Sequence, residues 1–303
     1  MRSFLPPPAR YAWLSVLLLA AGCTESDSEY SKSYSVTGHP VIRVDTDNGS
    51  VLVTASDTHQ VDFFVTTQWT GWEGNHRDGP RIDSRQDGDL VELTTREDWH
   101  SGFGRTRIEV RMPADADLQL QTRNGSVRVS SLSGHIVAHT SSGAITASQL
   151  AGTIELDSRN GSIRVDELRG ALQASTANGA ISIANLDGRC VAATRNGSVR
   201  VGGRFEFLDL ESANGAVAAH IDPGSRISDP WSIHTSRGSV HLDFPADFKA
   251  DLEASTSRGA VTASVPLEVQ DDFAGSHIRG KLNGGGPAVR VRTESGSIHI
   301  ASL

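Results

Sequence analysis

The stretch Thr122–Val165, TRNGSVRVSSLSGHIVAHTSSGAITASQLAGTIELDSRNGSIRV, decides how the whole chain is read. Three times it shows Thr or Ser, any residue, Asn or Ser, Gly, Ser or Ala, then Val or Ile, centred on Gly125, Gly143 and Gly161. The motif continues at Gly179, Gly197 and Gly215 with the same 18-residue step, and at wider spacing around Gly49, Gly238, Gly259 and Gly296, where Arg can stand in the Asn place. Halfway between lie Gly134, Gly152, Gly170 and Gly188, so a nine-residue Gly register runs from 125 to 215 and is broken only at Glu206. A fixed period of this kind marks stacked repeats, a solenoid.

The period also names the secondary structure. Apolar residues fall at the second and fourth places after each motif Gly, as in Val127/Val129, Ile163/Val165 and Ile181/Ile183. The half-repeats do the same with Ile136/Ala138, Ile154/Leu156 and Cys190/Ala192. Such alternation is a strand with one face inward. Each 18-residue unit then gives two short strands and two turns, one rung of a parallel β-solenoid with rungs about 4.8 Å apart. A 36-residue turn is the rival, because Arg123, Arg159 and Arg195 recur at that interval and Ser and Ala alternate after successive motif glycines from Gly125 onward. The 18-residue rung is preferred: it keeps like charges two rungs apart. The glycines are expected to supply positive φ at corners. The Asn column at 124, 160, 178, 196 and 214 is expected to form an amide ladder, and the inward Thr/Ser column to bond turn backbone. Cys190, in an inward aliphatic column, reads as an inert core residue.

Composition narrows the class. The chain has 303 residues, 37% of them hydrophobic and 21% charged, with 30 Gly and a net charge of −8. This is globular, which excludes disorder, collagen and a disulfide mini-domain. An acidic chain is a poor general binder of nucleic acid.

The N-terminus is an address. Arg2 and Arg10 precede the apolar run Trp13–Ala21, too short to span a bilayer, so residues 1–22 read as a signal peptide. Leu19-Ala20-Ala21-Gly22-Cys23 resembles a bacterial lipobox, which implies lipidation at Cys23. Cys190 is then the one thiol left, and no intramolecular disulfide can form. Residues 23–36, polar and nearly free of aliphatics, are expected to be a flexible tether. The lipid attaches the protein to a membrane of the cell envelope; Thr24 after the Cys, rather than Asp, favours the outer membrane in a two-membrane organism.

Residues 37–120 read as an N-terminal antiparallel β cap, with strands over 61–68, 90–95 and 105–112, and residues 121–303 as the solenoid continuous with it. Trp69, Trp72 and Trp99 in this cap are the candidate glycan or partner platform, against the simpler role of filling a cap core. Phe244–Asp251, FPADFKAD, echoes Met112–Asp117 and suggests that the solenoid restarts after an insertion. No metal site is expected: the turns lack the Asp of calcium β-rolls, and His135 and His139 are spaced too far apart on one strand face to ligate zinc together. Gly284-Gly285-Gly286 lacks the context of a phosphate loop. Glu155 and Asp157, outward neighbours, are the one carboxylate pair that would suit glycoside cleavage. No catalytic residues and no cofactor are assigned.

SYSVTGHPVIRVDTDNGSVLV (33–53), RMPADADLQLQTRNGSVRV (111–129) and GKLNGGGPAVRVRTESGSIHI (280–300) resemble the bacterial putative-adhesin family of β-strand-repeat domains over roughly residues 34–303. The resemblance implies the repeat fold and an envelope setting, and supplies no catalytic residues. The expectation is an all-β, lipid-anchored, non-enzymatic scaffold that binds an envelope polysaccharide or another envelope protein. A polysaccharide-active β-helix enzyme or an envelope stress-response component is the alternative.

Overall fold

The computed structural model describes residues 24–71, 80–96, 104–273 and 275–303. They form strands throughout, with no helix among the described residues. The N-terminal part holds β1 (Thr24–Ser35), β2 (Val41–Asn48), β3 (Ser50–Ser56), β4 (Gln60–Gly71), β5 (Arg81–Asp87), β6 (Leu90–Arg96) and β7 (Gly104–Pro113). The regular part holds β8 (Asp117–Asn124), β9 (Val127–Ser130), β10 (Ser133–Ser142), β11 (Ile145–Ser158), β12 (Ile163–Asn178), β13 (Ile181–Asn196) and β14 (Val199–Asn214).

The regular part stacks in parallel at a step of 18 residues: Ile145 lies beside Ile163 and Ile163 beside Ile181. The return after 18 residues excludes the 36-residue turn. Inward residues such as Ile136, Ala138, Ile145, Ala147 and Leu150 are buried along the axis, and Cys190 is among them. The missing Gly at 206 has a local cause. Leu186 pairs with Gly203 and Arg189 with Phe207, so the register slips by one residue and recovers. Gly203 takes the tight corner against Leu186, and Phe205 turns inward onto Trp231, with ring centroids 6.3 Å apart.

Two expectations for the N-terminus are corrected. The flexible tether is a strand: β1 pairs antiparallel with β4 along its whole length, from Thr24 opposite Gly71 to Ser35 opposite Gln60. An edge strand is held by backbone hydrogen bonds and needs few aliphatics. Here Tyr30 and Tyr34 pack against the core and share hydrogen bonds with the Ser84 hydroxyl. The cap is also smaller than residues 37–120. β2–β3, around Gly49, is a true rung, lying parallel between β6–β7 on one side and β8–β9 on the other. Of β1–β7, only β1, β4 and β5 have no parallel partner among the described residues, and they close the end.

The C-terminal part holds β15 (Val217–Ile221), β16 (Trp231–Arg237), β17 (Val240–Phe244), β18 (Ala250–Arg258), β19 (Val261–Ser264), β20 (Leu267–Phe273), β21 (His277–Leu282), β22 (Ala288–Ser295) and β23 (Ile298–Ser302). Its stacking is again out of chain order. The last rung in sequence, β22–β23, inserts between β16–β17 and β18–β19. The β20–β21 hairpin closes β18 antiparallel. The echoed segments after Met112 and Phe244 thereby acquire a meaning. Each carries the chain past one rung position, which β2–β3 fills at one end and β22–β23 at the other. The Ser/Ala alternation consequently fails in space, where Ser239 and Ser297 follow the motif glycines of adjacent rungs.

Candidate binding surfaces

All ten motif glycines form one column, in the spatial order 49, 125, 143, 161, 179, 197, 215, 238, 296, 259. Its cause is clearance more than φ. Six of the ten have no left-handed backbone, yet a Cβ on Gly125 or Gly161 would lie 1.8 Å from the carbonyl oxygen of the motif Gly on the neighbouring rung. The second corner behaves differently: Ser131, Gln149, Glu167 and Asn185 take φ of 54–61° there.

Polar ladders line this glycine edge. Inside, Thr140, Ser158, Thr176, Thr194 and Ser212 each donate a hydroxyl to the motif glycine carbonyl one rung back, at 2.9–3.3 Å. Outside, the amide of Asn124 donates to Asn48, Asn178 to Asn160, Asn196 to Asn178 and Asn214 to Asn196, at 2.7–2.9 Å. The ladder is interrupted at Ser142, whose rung has no Asn. Both columns bond as expected from sequence except at Thr122, whose buried hydroxyl has no hydrogen-bond partner among the described residues.

At the N-terminal end of the edge an open groove of about 790 Å³ is lined by Asn48, Ser50, Gln68, Arg105, Thr106, Arg107 and Glu109 among others. Thr106 takes the place in the column beside Gly49, and its buried hydroxyl, like those of Thr67 and Thr122, has no hydrogen-bond partner among the described residues. Trp69 lies near this groove in β4, its backbone opposite Ser26 and Gly104. Trp72, Trp99 and Cys23 lie outside the described residues. The opposite edge carries a second open groove of about 610 Å³, along Gln149, Glu167, Arg169, Asn185 and Asp187.

Glu155 and Asp157 face outward on β11, away from both grooves. Asp157 accepts a hydrogen bond from Ser175 on the next rung and stands 4.0 Å from His139 on the previous one. Burial pushes the Cys190 thiol up to about 12, with Asp209 adding to the effect, so it stays protonated. Among the described residues no group of three or more His, Cys, Asp or Glu is arranged to hold a metal ion. One polar cluster escaped the sequence reading. His241 and His299 stack with centroids 5.0 Å apart, while His220 and His241 both approach Asp243. The two stacked rings come from β17 and β23, which only the inserted C-terminal rung brings together.

The rung pattern and its glycine column agree with a family profile, Toastrack DUF4097, which matches residues 29–301. The chain belongs to the Toastrack family. Among solved structures, a Toastrack chain of this sequence is similar to a putative cell adhesion protein from Clostridium sporogenes, at 11% identity and a TM-score of 0.23, covering 92% of this chain and 100% of that one. A putative adhesin from Bacteroides fragilis is 12% identical with a TM-score of 0.40, covering 91% and 97%. One from Parabacteroides distasonis is 13% identical with a TM-score of 0.36, covering 90% and 97%. Comparison with curated proteins finds no match.

Proposed function

We propose that this Toastrack protein is a lipid-anchored component of the cell envelope whose β-solenoid is a non-catalytic, adhesion-like binding scaffold. Its partner is an envelope polysaccharide or another envelope protein. The observation that carries the anchored reading is Leu19-Ala20-Ala21-Gly22-Cys23, a lipobox-like ending to residues 1–22, which read as a signal peptide; Thr24, the next residue, is already paired in β1. Lipid on Cys23 would hold the folded end of the solenoid against the bilayer instead of at the end of a tether. In a two-membrane organism Thr24 favours the outer membrane. The scaffold reading is supported by stacked rungs that leave broad outward faces and two open polar grooves. Trp69, in β4 near the first groove, is proposed as part of a partner platform together with Trp72 and Trp99.

Cys23→Ser is expected to move the protein from the membrane fraction to the soluble fraction, and unchanged fractionation would overturn the anchor. Crosslinking from intact cells, followed by replacement of Trp69 and Trp72 with Ala, tests the platform. Partner capture should fall while the fold survives, and undiminished capture by the doubly substituted protein would remove both residues from it.

A further inference from the structure

The glycine edge carries a row of arginines spaced by the stacking itself. Over Gly125, Gly161 and Gly197 the residue two before the Gly is Arg123, Arg159 and Arg195; over Gly238 and Gly259 the residue just before it is Arg237 and Arg258. All five are exposed. The intervening rungs carry none at these places. In sequence Arg237 and Arg258 belong to consecutive rungs, but β22–β23 lies between them. Arginine therefore recurs on every second rung along the row. With rungs about 4.8 Å apart, the cations stand about 9.6 Å from one another over about 38 Å. Arg128, Arg164 and Arg200 repeat the first two intervals on the other flank of the corner.

Four of these five charges are left without a carboxylate partner among the described residues. The whole chain is net −8. Yet from the inward Thr or Ser to the third residue past the Gly, in the nine rungs from Gly125 to Gly259, Glu294 is the sole acidic residue. Among the described residues, Arg123 alone of the five arginines in the row has an ion pair, with Asp47 at 3.3 Å. At the opposite edge two arginines are matched: Arg189 lies 3.0 Å from Asp229, and Arg204 pairs with Asp187. A file of exposed, unneutralised guanidinium groups on an acidic protein focuses positive potential along one line. Guanidinium also pairs with carboxylate and phosphate in a fixed two-pronged geometry.

We infer that this edge binds a linear polyanion, an extended envelope polymer bearing carboxylate or phosphate groups at regular intervals. The inference names the ligand class of the scaffold proposed above and rests on that reading. A single file suits a chain. A membrane surface would call for apolar side chains beside the charges, and the exposed large hydrophobics among the described residues, Phe64, Val269 and Leu303, are outside the row. Nucleic acid would call for aromatic rings on which bases stack, and the row has none.

The test uses the full chain in detergent, titrated with polygalacturonate, polyphosphate, neutral dextran, single-stranded DNA and phosphatidylglycerol vesicles. Binding of polygalacturonate or polyphosphate is expected, weakening steeply with salt, and whichever binds assigns the anionic group. Replacing the five row arginines with Ser, the residue Ser141 already places on a neighbouring rung, should weaken it at least tenfold. Lys at the same five places should restore most of it, and Arg226→Ser, outside the row and outside both grooves, should leave it unchanged. If the fivefold variant does not fold, Arg159→Ser with Arg195→Ser should weaken binding at least threefold. The inference is overturned if neither polymer binds, if the row variants bind as the parent does, or if DNA or vesicles are preferred. New reducing ends on polygalacturonate would overturn the non-catalytic scaffold while the affinities still decide the edge.

Discussion

Gly161 sits where a methyl group would lie 1.8 Å from the Gly143 carbonyl oxygen and an added Cβ would meet the Ser158 hydroxyl at 2.8 Å. That carbonyl also accepts the Ser158 hydrogen bond, so the neighbouring backbone cannot retreat without breaking the inward ladder. Gly161→Ala should cost about 4 kcal/mol, in the range reserved for severe core strain. Gly88 is the contrast: its φ is +61° and nothing lies near an added Cβ. Gly88→Ala should cost about 1 kcal/mol, the ordinary penalty of a left-handed residue. Urea unfolding of both variants checks the pair, and equal costs would remove the carbonyl clash as the reason for the column.

At the scale of elements, β2 is clipped to β8 by a titratable bridge. His39, just before β2, places Nδ1 3.1 Å from Asp115 and Nε2 2.9 Å from Asp117. The hydrogen bond to Asp117 raises the His39 pKa above its ordinary 6.5, against a smaller opposing effect of burial, with Asp115 adding to the rise. Burial pushes Asp117 up, but the hydrogen bonds from His39 and the His135 backbone N–H outweigh it, and its pKa falls below 3.8. The bridge therefore stabilises the fold fully between about pH 4 and 6.5, and fades as pH rises through the raised His39 value. Because the ring is half exposed, solvent screens the effect. His39→Gln should lower the melting temperature more at pH 6 than at pH 9, and an equal loss at both would remove the charged bridge from the account.

For the whole molecule, the two inserted rungs change where the solenoid can open. A repeat protein stacked in chain order frays from its termini, since each end rung has one neighbour. Here β2–β3 and β22–β23, first and last of the rungs in sequence, have neighbours on both sides. Hydrogen exchange should protect amides of β2 and β22 nearly as strongly as those of β12, with faster exchange in the covering strands β1, β5 and β20. Early exchange across β22–β23 would argue against the insertion. Closing these rungs needs pairing between distant segments, so the ends should form late in folding.

The sequence by itself determined the repeat. Period, strand alternation, inward columns, the Asn and Thr ladders and the burial of Cys190 all follow from residues near one another in the chain, because a solenoid writes its neighbours one period away. It could not determine what happens where that rule stops. Thr24–Ser35 looks unstructured because its pairing is made mostly by backbone, with only Tyr30 and Tyr34 packed against the core. The two rung-skipping segments look like an insertion because the rungs that fill the gaps are encoded elsewhere, around Gly49 and Gly296. The stacked histidines and the even spacing of Arg237 and Arg258 depend on the same insertion. Backbone hydrogen bonds join strands without regard to their distance in sequence, so only the tertiary structure could decide which rungs became neighbours.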